Sequence, residues 1–205
     1  MIIPDLKLEE TLWEDGYIKV CGLDEVGRGP LAGPVVAGAV VVEKKGQYLD
    51  GVRDSKTMTE KKREYFFEKI KEVCSGWGIG IVHSDEIDRL GISKAIQKAM
   101  VLAVQDIGFK PDFLITDGNI GKVEDYPTRT LIDGDALHYS ISAASVIAKV
   151  TRDRMMKEYS LKYPGYGFER NVGYGTKIHM DGLKSLGPCE IHRKCFKPVA
   201  KFFEK

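Results

Sequence analysis

The chain predicts an α/β fold, a sheet covered by helices. Short apolar, β-branched runs of strand length alternate with amphipathic helical patterns, after an opening pair of strands. Acids recur where those runs stop. No internal repeat, low-complexity tract or linker interrupts the order, and 205 residues fit one domain, 1–205, able to bury a real core.

A short amphipathic segment comes first, with Leu6, Leu12 and Trp13 on an acidic background. Residues 17–24, YIKVCGLD, alternate enough to predict a strand that ends at Asp24. Residues 35–43, VVAGAVVVE, predict a second. The intervening GRGPLAGP continues neither strand nor helix, so a hairpin-like pair results. Thr57 and Glu60 have the spacing of a capping box before EKKREYFFEKIKEV, whose Phe66, Phe67, Ile70 and Val73 form one helical stripe. A third strand is predicted over Gly76–Ser84. A helix follows with Ile96, Ala99, Met100, Ala103, Val104 and Ile107 on one face, and Gly91 breaks it early. DFLITDGN predicts a strand that stops at Asp117 and turns towards Asn119, and 128–134 predicts another. From Ser140 to Tyr163 helix formers dominate, with Ala144, Ile147, Ala148, Thr151 and Met155 on one side, until Pro164. The remainder is glycine-punctuated, basic, and helical near its end.

Hydrophobic content of 43% and charged content of 30% are those of a soluble globular protein, and no apolar run approaches the roughly 18 residues of a membrane span. The opening MIIPDLKLEE lacks a basic segment followed by an apolar stretch, so a cytoplasmic location is expected. Cys21, Cys74, Cys189 and Cys195 have neither Cys-x-x-Cys spacing nor a histidine at zinc-ligand spacing, and read as reduced thiols. The net charge of +1 hides an asymmetry: residues 1–134 hold 18 basic and 23 acidic side chains, net −5, and residues 135–205 hold 13 and 7, net +6. A basic segment suits a polyanion, although a solvated helix face explains it as well.

Chemistry concentrates in the acids. Asp24 and Glu25 end the first strand, Asp117 ends a later one, and Asp135 precedes the long helix. Any one of them alone reads more readily as a turn or cap residue. As a set they point to a shared cation, because carboxylates near a core are costly unless paired. Oxygen ligands select magnesium or manganese. The loop Gly27-Arg28-Gly29 follows at once; its backbone N–H groups and the Arg28 fork suit a sugar hydroxyl or phosphate oxygen, and a plain tight turn is the alternative. Its G-x-G-x-x-x-G spacing departs from a dinucleotide fingerprint, and no Gly-Lys-Ser/Thr of a P-loop occurs.

These residues carry a resemblance. The run from Gly22 to Val36, GLDEVGRGPLAGPVV, resembles the opening signature of the ribonuclease HII family. Asp54-Ser55-Lys56, Thr116-Asp117-Gly118, Gly134-Asp135-Ala136, the run Ser142–Val150, Gly173-Tyr174-Gly175-Thr176-Lys177 and His192-Arg193 follow in the family's order. The resemblance implies a ribonuclease H-like fold, a mixed five-stranded sheet flanked by helices, with a helical C-terminal segment. It implies an endoribonuclease that hydrolyses the RNA strand of RNA-DNA hybrids and incises 5′ of ribonucleotides in duplex DNA. Asp24, Glu25, Asp117 and Asp135 match the family's metal-binding acids, for two Mg2+ or Mn2+ ions. Gly27, Arg28 and Gly29 match the loop that senses the 2′-hydroxyl, and Tyr174 the tyrosine that packs on the sugar, though alone it reads equally as a core tyrosine. Lys56, Lys149, Lys177 and Arg193 become candidate phosphate contacts, and about 165–205 a contributor to substrate binding. The related ribonuclease HIII has an extra N-terminal domain and a Gly-Lys-Gly loop, whereas here the loop is Gly-Arg-Gly after a short lead. A monomer is expected. The family often carries a C-terminal peptide for a sliding clamp; Phe202 and Phe203 in KPVAKFFEK fit one, or pack a last helix. His138, His179 and His192 receive no role. The rival from another class is a non-catalytic hybrid-binding module, which four clustered negative charges beside a polyanion disfavour.

Overall fold

The computed structural model describes residues 3–118, 121 and 123–204; Asn119, the far end of one predicted strand and turn, lies outside them. Chain order runs α1 (Lys7–Glu14), β1 (Lys19–Val26), β2 (Val35–Glu43), a 3-10 turn at Ser55–Thr57, α2 (Glu60–Val73), β3 (Gly76–Val82), α3 (Ser84–Leu90) and α4 (Ile92–Asp106). It continues through β4 (Phe113–Asp117), β5 (Thr128–Leu131), α5 (Gly134–Leu137), α6 (Tyr139–Lys162), α7 (Phe168–Asn171), α8 (Lys177–Leu186) and α9 (Lys197–Ala200).

The sheet has five strands in the order β3-β2-β1-β4-β5. β1, β2 and β3 pair antiparallel, as the early hairpin requires, while β4 and β5 run parallel to β1. This is the mixed sheet expected. One face packs Val20, Val40, Val42 and Ile115 against α6, α2 and α1; the other packs Leu23, Val35, Ala37 and Leu114 against α3 and α4. Burial on both faces explains why β2 is almost continuously apolar rather than alternating.

α6 is the central prop. A Cβ added at Gly22 would fall 2.2 Å from the carbonyl carbon of Ser140, and one at Gly38 2.4 Å from the Ala144 oxygen, so the helix lies directly on the backbones of β1 and β2. The single apolar stripe expected for it is incorrect. Residues 139–148 are buried all round, and beyond them the inward side chains are Val150, Arg152 and Met156, with Thr151 and Met155 half-buried. Glu9 of α1 accepts from Ser140 N at 3.0 Å and Ser140 Oγ at 2.8 Å, placing an acid at the helix start where the dipole favours it.

Other boundaries move. β1 does not stop at Asp24 but runs to Val26, because Glu25 and Val26 keep pairing with Ala37 and Val36. The cap of α2 is Thr59, which accepts from Lys62 N, and not Thr57; the Thr57 hydroxyl donates instead to the Asp54 carbonyl in the preceding turn. Gly91 does break the helical run, at φ 78° between α3 and α4. Phe202 and Phe203 follow α9 in a turn at 42% and 50% exposure, Phe202 lining a groove with Met180, Lys184 and Pro198, so neither is buried by a last helix. No helix among the described residues is long and apolar enough to cross a membrane.

Candidate active site

Strand register assembles the acids. β1 and β4 are parallel with Leu23 opposite Thr116, so the next residues, Asp24 and Asp117, stand side by side at the ends of neighbouring strands. Alternation puts Asp24 on the face of Gly22, towards α6, and Asp117 on the face of Ile115, likewise towards α6. Gly38, opposite Asp24 on β2, leaves only backbone beneath the helix. Asp133, at φ 56°, turns the chain after β5 into α5, which brings Gly134 and Asp135 back to the end of β4. Gly134 N–H donates to Asp117 Oδ1 at 2.7 Å.

Asp24 is 5% exposed and Asp135 6%. Asp135 Oδ2 accepts from Lys56 Nζ at 2.7 Å, and Glu25 lies 3.8 Å from Arg28. Asp24 differs from its neighbours: among the described residues no donor reaches its carboxylate. Burial pushes its pKa well above the usual carboxylate range, and the charges of Glu25, Asp117 and Asp135 push the same way, against Lys56. Burial also raises Glu25, with Arg28 opposing, and raises Asp117, with Asp135 adding to it. For Lys56 burial acts to lower the pKa, but the hydrogen bond and charge of Asp135, with Asp24 and Asp54 beyond, outweigh it and raise it. Lys56 is thus the resident counter-charge of an over-acidic corner.

The donors fit a hard divalent cation. All are carboxylate oxygens, at least one is nearly buried without a partner, and their mutual repulsion is what a cation would relieve. They are not drawn into a finished cage: among the described residues no three His, Cys, Asp or Glu side chains are gathered as metal ligands. Asp117 is held by an amide and Asp135 by an ammonium, and a cation would have to recruit both.

The glycine loop borders this corner. Gly27 has φ 98°, and a Cβ on it would meet Arg152 Nε at 2.5 Å and Pro34 O at 2.6 Å. Gly29 lies against Tyr174, whose ring carbon would stand 3.4 Å from an added Cβ. Leu31 N–H donates to Gly173 O at 2.8 Å, tying the loop to the turn that carries Tyr174. That tyrosine is 47% exposed, so the core reading of it does not hold. Lys177 is exposed at the start of α8, and Lys149 pairs along α6 with Asp153 at 2.7 Å.

Arg193 requires correction. It is 0% exposed and donates to the carbonyls of Gly27, Arg28, Gly33 and Pro34, so it cannot reach a phosphate. Arg152, absent from the sequence reading, shares this role; the spacing Ala148, Arg152, Met156 on an apolar helix face was the signal for it. Two of the three unassigned histidines lie next to it, His179 Nε2 and His192 Nε2 being 3.0 Å apart and His179 Nδ1 2.9 Å from Tyr174 O, whereas His138 sits at the start of α6, bridged to Asp5.

Comparison with known proteins is consistent throughout. The family model described as Ribonuclease HII matches residues 21–199. A protein named Ribonuclease HII from Acholeplasma laidlawii is 45% identical over 205 residues, 100% of both chains. One from Bacillus velezensis is 49% identical over 187 residues, 91% of this chain and 72% of that protein. The crystal structure of ribonuclease H2 from Pyrococcus horikoshii OT3 superposes with a TM-score of 0.75 at 28% identity, covering 90% of this chain and 97% of that one.

Proposed function

Since the chain belongs to the ribonuclease HII family, metal-dependent hydrolases that cleave the RNA of RNA-DNA hybrids, we propose that it also incises duplex DNA on the 5′ side of an embedded ribonucleotide. The products are 3′-hydroxyl and 5′-phosphate ends. The observation that carries this reading is Asp24, a nearly buried carboxylate that no donor among the described residues reaches, flanked by three further acids that raise its pKa.

Asp24, Glu25, Asp117 and Asp135 would hold two divalent ions, Mg2+ or Mn2+. Such ions supply an activated water and stabilise the leaving 3′-oxygen. The chain itself binds and orients. Asp24 reaches the pocket from β1, Asp117 from β4 and Asp135 from α5, so three elements fix the angle at which a scissile phosphate must enter. Lys56, which now holds Asp135, would be placed to meet a phosphate oxygen. Gly27, Arg28 and Gly29 offer backbone N–H groups to the ribose 2′-hydroxyl, the sugar group that separates RNA from DNA. Tyr174 covers the sugar face beside them. Lys177 neutralises a flanking phosphate, which assigns part of the basic stretch 165–205 to substrate binding, and Lys149 would add a second such contact on leaving Asp153. We read 1–205 as one catalytic unit acting as a cytoplasmic monomer.

A duplex with one ribonucleotide, incubated with magnesium, manganese or chelator and resolved to single-nucleotide length, tests this. Metal-dependent incision immediately 5′ of the ribonucleotide is expected. Binding without incision in either metal would leave a non-catalytic hybrid-binding module instead. Comparing Tyr174→Ala with the parent on that duplex tests the tyrosine: equal rates would reduce it to a structural part.

A further inference from the structure

Arg152 and Arg193 are both 0% exposed, and neither guanidinium meets a carboxylate among the described residues. Burying two cations without counter-ions is expensive unless every donor is used. Here they are spent on backbone carbonyls. Arg152 donates to Pro34 O at 2.9 Å, Val172 O at 2.9 Å and Ala32 O at 3.2 Å. Arg193 donates to Gly27 O at 2.6 Å, Gly33 O at 3.0 Å, Arg28 O at 3.2 Å and Pro34 O at 3.2 Å, and its own N–H donates to Leu31 O at 2.8 Å. Burial lowers the pKa of both groups, and the charge of Arg152, which shares the Pro34 carbonyl, lowers Arg193 further.

A trans peptide unit points its C=O and the following N–H in opposite directions. Drawing the carbonyls of Gly27 and Arg28 inward therefore turns the N–H groups of Arg28 and Gly29 outward. Among the described residues nothing accepts from the N–H of Gly27, Arg28 or Gly29, and Tyr174 lies beside Gly29. We propose that Arg193, supported by Arg152, is a positioning residue for ribose recognition: from inside the fold it grips the loop by its carbonyls and presents the Arg28 and Gly29 amides to the 2′-hydroxyl. This rests on the reading of the Gly-Arg-Gly loop as the sugar sensor. It explains why an arginine stands where an aliphatic side chain would be cheaper to bury.

The experiment compares the parent with Arg193→Lys, which keeps the charge but loses the fork. The substrates are duplexes with one ribonucleotide or one 2′-fluoro nucleotide at the same position, and amide NMR follows Arg28 and Gly29 in the free protein. The proposal expects kcat on the ribonucleotide to fall about tenfold or more with KM within about twofold. It also expects the preference over 2′-fluoro to shrink and the two amide signals to shift. A raised KM with kcat retained and a shallower salt dependence would overturn it in favour of a phosphate contact. Unchanged kcat and preference in a folded variant would reduce the clamp to structure. Should the parent itself fail to cut, the nuclease reading fails, while the amide signals still decide the clamp: unshifted signals overturn it. If Arg193→Lys does not fold, Arg152→Lys carries the same measurements, since Arg193 still holds the Gly27 and Arg28 carbonyls and a smaller change of the same sign is required.

Discussion

Asp24 combines near-complete burial with three acidic neighbours, and this has consequences on the free protein as well as on turnover. A carboxyl with a folded pKa raised above 3.8 stabilises the fold fully only below that value, and the contribution is lost as pH rises through the raised one. At neutral pH the metal-free protein therefore carries a cost that Asp24→Asn removes. This variant is expected to melt a few degrees higher than the parent in chelator, measured by calorimetry at pH 7. In magnesium it should lose about 10³-fold in kcat, the several kcal/mol that metal-held charge stabilisation supplies. Asp24 and Glu25 were legible in the sequence because they end an apolar run, as was Asp117. The partners that finish the corner were not: the Lys56 ammonium on Asp135 joins residues 79 apart in sequence, a contact no local pattern encodes. Arg193 was misread for a related reason, since an arginine beside a histidine in a basic segment looks solvated until the fold closes over it.

α6 positions the pocket by lying on bare backbone, and the glycines beneath it set that distance. Gly38→Ala would place a methyl 2.4 Å from the Ala144 carbonyl oxygen, and the helix would have to lift. An overpacking cost of about 1–3 kcal/mol is expected in urea unfolding, with m unchanged. Strand and helix existence was largely legible from periodicity, whereas their ends were not. Val26 continues β1 because β2 offers a partner, and Thr59 rather than Thr57 caps α2 because Thr57 is engaged with Asp54. α8 meets the C-terminal segment through His179 and His192, among Tyr166, Phe168 and the Cys189 thiol, which is 3.1 Å from His192 Nδ1. Burial and the charge of His179 push the His192 pKa down to about 4, and burial lowers His179. A base with a depressed folded value stabilises the fold fully above its unfolded value of 6.5 and loses that contribution as pH falls towards 4. The melting temperature of the parent should thus fall over this window, and more steeply than that of His192→Gln. The raised carboxylates act oppositely but are common to both proteins, so the difference isolates the histidines; parallel curves would refute the assignment.

The net charge of +6 over residues 135–205 against −5 before them was legible in the sequence, but in the fold several of those cations meet acids of the first part, Arg154 with Glu64 and Lys157 with Glu60. What the sequence could not reveal is that part of this excess, Arg152 and Arg193, is spent inside. The usable charge is smaller and lies on side chains such as Lys177. Binding of a ribonucleotide-containing duplex in chelator should weaken with salt, and Lys177→Ala should lower the slope of log K against log salt by about 1. An unchanged slope would remove Lys177 from the interface. The proposed site requires one property of the whole assembly, that strands β1 and β4 and the turn into α6 bring their acids close enough to share cations. Manganese uptake followed by electron paramagnetic resonance on the folded protein measures this without substrate. The parent should take up Mn2+, and Asp24→Asn should bind it more weakly by at least the roughly 10-fold that loss of an outer partner of a ligand costs. Equal uptake by the two proteins, or none by the parent at millimolar Mn2+, would contradict it.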